Sequence, residues 1–113
     1  MPLSKQGKVY KIKGKDITLY PISVLAERLS KAIKEPRTTQ TIRKWELAKN
    51  GVLPPAIFRV KGKRLYAEEQ IETICRVAKE CKIKQGSATA MINFSERVKE
   101  ELIKVNKKLL NIE

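Results

Sequence analysis

Residues 39–71 read TQTIRKWELAKNGVLPPAIFRVKGKRLYAEEQI, and the succession of patterns in this stretch decides how the 113-residue chain should fold. The first part has helical spacing: Ile42 and Trp45 share an inward stripe, leaving Gln40, Thr41, Arg43, Lys44 and Glu46 outward. Asn50-Gly51 closes that helix in the manner of a left-handed C-cap. Val52-Leu53-Pro54-Pro55 must then be extended, because a proline excludes helical backbone in the residue before it. Ile57, Phe58 and Val60, then Lys61-Gly62, then Leu65 and Tyr66 predict two short strands about a glycine turn. A helix from about Ala67 to Lys82 follows, acidic at its start (Glu68, Glu69), where the helix dipole favours negative charge.

Toward the N-terminus, Ile22, Leu25, Ala26, Leu29 and Ile33 have helical spacing and predict a helix over about 22–34, with Pro21 at its first position. Glu35-Pro36-Arg37 interrupts it, and Thr38 or Thr39 offers a side-chain oxygen to cap a second helix from Thr39 to about Lys49. Before these, Val9, Tyr10 and Ile12, then Ile17, Leu19 and Tyr20, flank Lys13-Gly14-Lys15-Asp16 and predict a basic hairpin. That hairpin either extends a basic surface or contacts a partner.

Toward the C-terminus, Ile71, Ile74, Cys75 and Ala78 form one stripe of the third helix, and Gln85-Gly86-Ser87 breaks the pattern. The last helix carries Met91, Phe94, Val98, Leu102, Val105, Leu109 and Ile112 on a stripe that needs a partner surface. Either a twin chain, giving a homodimer, or the chain's own domain would serve. The organisation expected is a basic arm over 1–20, a DNA-binding domain over 21–82 and a C-terminal helix over 83–113.

Charge narrows the partner. Twenty-five Lys and Arg against 12 Asp and Glu give +13 and a pI near 10.0, which calls for a polyanion. Residues 1–66 hold 16 of the basic and 4 of the acidic side chains, and apolar residues are interleaved among them. The positive field should therefore belong to a folded surface rather than a disordered tail.

Several function classes are set aside. The chain has no histidine, no phosphate-binding glycine loop and no clustered carboxylates, so it is not read as an enzyme, and no cofactor or metal is expected. Cys75 and Cys81, six apart, do not match zinc-finger spacing and read as buried or idle thiols. No apolar run reaches the roughly 18 residues that span a bilayer, and no signal-peptide core follows the basic start, so a cytoplasmic location is expected.

Two helices joined by a turn, the second polar and cationic, then a basic hairpin, then a packing helix: this is the order of a winged helix-turn-helix. The expected fold is mainly α with small β, three helices plus a two-stranded wing, preceded by a short hairpin and followed by a C-terminal helix. In that arrangement Arg37, Thr38, Thr39, Gln40, Thr41, Arg43 and Lys44 would face the major groove of double-stranded DNA, and Arg59, Lys61, Lys63 and Arg64 would form the wing's contacts. Gln40 and Arg43 are expected on base edges, Thr39 and Thr41 on phosphates, and Lys44 as charge. Trp45 could stack on a base, but its spacing from Ile42 places it in the core; Tyr66 is expected beneath the wing.

Thr41-Ile42-Arg43-Lys44-Trp45-Glu46, Gly51-Val52-Leu53-Pro54-Pro55 and Gly62-Lys63-Arg64-Leu65-Tyr66-Ala67-Glu68-Glu69-Gln70-Ile71 together resemble the MerR-like winged-helix family over roughly residues 20–82. The resemblance implies phosphate contacts for Arg43, Arg59 and Arg64, and aromatic positions of the family pattern for Trp45 and Tyr66. The turn between the first two helices is several residues longer than in that family, a basic hairpin precedes the domain, and no effector-binding domain follows, so no small-molecule effector is expected. Excisionases and phage DNA-binding proteins also use such short domains. A transcription regulator or a phage or mobile-element architectural factor is the expected role; an RNA-binding or ribonucleoprotein protein using the same basic surface is the alternative.

Overall fold

The computed structural model describes residues 7–47, 51–54, 56–83 and 88–110. Along the chain the elements are β1 (Lys8–Ile12), β2 (Lys15–Pro21), α1 (Ile22–Ile33), α2 (Thr39–Leu47), β3 (Phe58–Val60), β4 (Lys63–Ala67), α3 (Glu68–Cys81) and α4 (Ala88–Leu109). The two hairpins and the first three helices begin within a residue or two of their predicted places, and the last helix, expected over 83–113, begins at Ala88. Ala48, Lys49 and the Asn50 cap, the Gln85-Gly86-Ser87 break and Ile112 lie outside the described residues.

The expected winged helix-turn-helix is not the fold. Among the described residues four helices accompany one four-stranded antiparallel sheet of order β1-β2-β4-β3, in place of three helices with a separate two-stranded wing. The N-terminal hairpin is not an appendage: Leu19, Tyr20 and Pro21 of β2 pair with Ala67, Tyr66 and Leu65 of β4. An isolated two-stranded ribbon is marginal in water and leaves backbone groups unpaired on both edges. Joining the two hairpins satisfies one edge of each. Pro21 accordingly ends a strand and stands at the N-cap of α1, in extended backbone, rather than inside the helix.

Alternation along the strands divides the apolar side chains between the two faces. Tyr20 and Tyr66 join the larger core, built from Leu25 and Leu29 of α1, Ile42 of α2, Ile71, Ile74 and Val77 of α3, and Phe94, Val98 and Leu102 of α4. Leu19, Phe58, Leu65 and Ala67 form a second cluster closed by Leu109 at the end of α4. The apolar stripe of α4 is thus covered within the chain. Gln70 fixes the start of α3: its Oε1 accepts the Ala67 N–H at 2.8 Å, and its Nε2 donates to Asn106 Oδ1 of α4 at 2.8 Å.

The topology is a ββαα unit used twice. Tyr10-Lys11-Ile12-Lys13-Gly14-Lys15-Asp16-Ile17 corresponds, at an offset of 48, to Phe58-Arg59-Val60-Lys61-Gly62-Lys63-Arg64-Leu65. Backbone geometry follows the same offset. Lys13 and Lys61 have φ of 50° and 52°, Gly14 and Gly62 have 80° and 79°, and Lys34 and Lys82, which end α1 and α3, have 59° and 54°. Two successive positive φ values make each hairpin turn of the primed kind, whose twist matches its strands. Leu19 and Ala67 are themselves offset-equivalent and are paired.

Candidate nucleic-acid interface

Ser30 organises the long turn before α2. Its Oγ donates to Ala26 O at 2.8 Å and accepts the Arg37 N–H at 2.8 Å, tying the far end of the turn back to α1. The Arg37 side chain is 12 % exposed, donates to Pro36 O at 2.9 Å and lies 3.8 Å from Glu35. Arg37 is therefore a turn residue rather than a projecting cation. Thr38 is the cap: its Oγ1 accepts the Thr41 N–H at 3.3 Å, so both threonines serve the helix start.

Of the side chains expected on the outer face of α2, Gln40, Arg43 and Lys44 are exposed, whereas Thr39 and Thr41 are half-buried. Among the described residues neither Arg43 nor Lys44 has an ion-pair partner. Trp45 packs edge-on against Phe94, ring centroids 5.7 Å apart, which assigns it to the core.

Glu46 departs from its expected outward position: its side chain is 3 % exposed. It falls four residues after Ile42, on the same inward stripe, and its charge is met by two arginines of the second hairpin. Arg59 is ion-paired to Oε1, and Arg64 Nε lies 2.9 Å from the same oxygen, close enough for attraction although its N–H lacks hydrogen-bond alignment. Tyr66 donates to Oε2 at 3.4 Å. Burial, and then the Glu46 carboxylate, push the Tyr66 hydroxyl well above the ordinary tyrosine range; Arg64 and Arg59 pull weakly the other way. Arg59 and Arg64, both expected on phosphates, thus lock the hairpin to α2. Arg59 stays 42 % exposed, whereas Arg64 is turned inward at 14 %.

Lys61 and Lys63 are exposed at the tip of the second hairpin. Beside them Arg43, Lys63 and Arg64, with Ile22 and Gly62, line a cleft of about 230 Å³ between α2 and the turn, with no acidic residue on its walls. Lys8, Lys11, Lys13 and Lys15 of the first hairpin are exposed too. The sequence left open whether that hairpin extends the basic surface or contacts a partner; the Lys-Gly-Lys tripeptide it shares with the second hairpin marks it as an equivalent element.

The rest of the surface is charged differently. On α3 and α4, Arg76 pairs with Glu80 and Glu101, Arg97 with Glu80, and Lys108 with Glu69. The bond from Arg97 holds the Glu80 carboxyl below its usual range. Cys75 is buried, its thiol pushed up to about 11 by that burial, and Cys81 is half-buried. Among the described residues no helix is long and apolar enough to cross a membrane.

Comparison of the chain with known protein families, with curated proteins and with solved structures returned no match.

Proposed function

We propose that this chain is a cytoplasmic, sequence-specific binder of double-stranded DNA, acting as a transcription regulator or as an architectural factor of a phage or mobile element. The observation that carries the reading is the separation of charge: cations on α2 and the hairpin tips project outward, while α3 and α4 carry seven basic and seven acidic side chains, six of them joined in ion pairs. Gln40 and Arg43 are suited to base edges in a major groove, Lys44 to a phosphate, and Lys61, Lys63 and the exposed part of Arg59 to the adjoining backbone. The motif resemblance to MerR-like proteins, carried by Arg43, Trp45, Arg64 and Tyr66, favours DNA over other polyanions. Binding, rather than catalysis, is the activity proposed.

Selection of bound fragments from a random duplex pool, with the winners titrated against salt, tests this. A sequence motif should emerge, and log affinity should fall linearly with log salt at a slope of about −0.9 per phosphate contacted. Absence of a motif, or tighter binding of RNA, would defeat the proposal and favour a ribonucleoprotein role.

A further inference from the structure

The duplication sets the two Lys-Gly-Lys turns at opposite ends of one sheet. From the Leu19↔Ala67 pair, the first turn lies between five and six residues back along β2, and the second equally far back along β4 in the opposite direction. At about 3.3 Å per residue the tips are roughly 35 Å apart. The longest dimension of the molecule, 42 Å, accommodates that span. One turn of B-DNA, about 34–36 Å, is the same length.

Charge follows the duplication as well. Lys11, Lys13 and Lys15 occupy the positions of Arg59, Lys61 and Lys63, and all six are exposed. Apolar side chains have drifted between the two copies, for instance Tyr10 against Phe58 and Ile12 against Val60, but at these three positions both copies are cationic. Folding does not require it at Lys11 and Lys13, which are exposed and have no ion-pair partner among the described residues, whereas Arg59 is held by Glu46. The second helices, by contrast, have diverged: exposed Gln40, Arg43 and Lys44 on α2 correspond to Ala88, Met91 and Ile92 on α4, which carry no charge.

We infer that the β1–β2 hairpin is a second DNA-contacting element, so that one chain grips the duplex backbone at two places one helical turn apart, with α2 reading bases at one end only. The inference rests on the proposed DNA-binding function. A reader built in this way obtains from one polypeptide the two-point spacing that dimeric readers obtain from two.

Hydroxyl-radical footprinting of the full chain on its selected duplex, with the mass of the complex measured in parallel, tests it. One chain per site should protect two backbone windows about 10 base pairs apart. The double variant K11A/K13A should lose the window farther from the selected bases, weaken binding about tenfold and reduce the salt slope by about 2. K61A/K63A should lose the other window. Both variants change only exposed turn and strand residues and should keep the wild-type unfolding midpoint. A K11A/K13A footprint and salt slope equal to the wild type's would overturn the inference while leaving DNA binding intact, as would two chains per site. A wild-type chain that protects no duplex would overturn the DNA reading and this inference with it.

Discussion

The two ββαα halves share one plan and differ in what their second helices do. In both, a Lys-Gly turn joins two strands and a first helix ends on a left-handed lysine. The second helices then part company. The nine-residue α2 is short and polar, held by a cap at Thr38 and by Glu46. The 22-residue α4 spends an apolar stripe on α3 and the sheet and pairs Arg97, Glu101 and Lys108 with charges of α3. The difference teaches that a repeated scaffold can keep its folding elements and divide its labour at one helix, with α4 supplying stability and α2 supplying an unneutralised surface.

The comparison can be broken most forcefully at Phe94, which is fully buried where α4 meets Trp45. Phe94→Ala should cost about 3–5 kcal/mol of stability, read from the urea midpoint, by emptying the core between the halves. A cost under about 1 kcal/mol would mean that α4 is not the buttress described. Next in size is Glu46. Glu46→Ala removes the carboxylate that Arg64 and Arg59 share and leaves them without a counterion, so about 3 kcal/mol of stability should be lost. DNA affinity should fall with it, because the second hairpin is no longer locked to α2. If stability fell and affinity at low temperature did not, the lock would be structural only.

Arg43→Ala sharpens the comparison from the other side. Arg43 is exposed and has no ion-pair partner among the described residues, so the urea midpoint should hold, while duplex affinity should drop by about 1–3 kcal/mol with relaxed preference at one base pair. A loss equal for all sequences would reassign Arg43 to phosphate. The smallest expected effect is alkaline. Tyr66 stays protonated in the folded chain at pH values where an unfolded tyrosine, with its ordinary pKa of about 10, has ionised. Its contribution is therefore complete below that value and is lost as pH climbs above it, because the unfolded state then binds fewer protons than the native state. Tyr66→Phe should flatten the alkaline limb of stability against pH; an unchanged limb would show that another group controls it.

Much of this was legible in the residues. Helical spacing at Ile22 to Ile33, the proline interruption at Pro36, the Lys-Gly turns and the acidic start of α3 are local signals, and each element stands where its signal lies. The exposed face of α2 was legible for the same reason, because charge and amide groups without apolar neighbours have nowhere to go but solvent. Glu46 was misread although its spacing from Ile42 placed it inward, since a lone carboxylate on an apolar stripe is too costly to bury unless its partners are known. Those partners, Arg59 and Arg64, come from a hairpin 13 and 18 residues away. The duplication was also written in the chain, in YKIKGKDI and FRVKGKRL, but the second helices differ too much for it to show across the whole length.

By itself, then, the sequence determined the kind and place of each element, the sign of the surface and the presence of two basic turns, because these depend on interactions within a few residues. Tertiary structure alone decided that the two hairpins share one sheet, that α4 folds back over α3, and which arginines are drawn inward. Strand pairing between Leu19–Pro21 and Leu65–Ala67 joins segments 44–48 residues apart, and backbone hydrogen bonds carry no side-chain signature by which one partner edge could be read from the other.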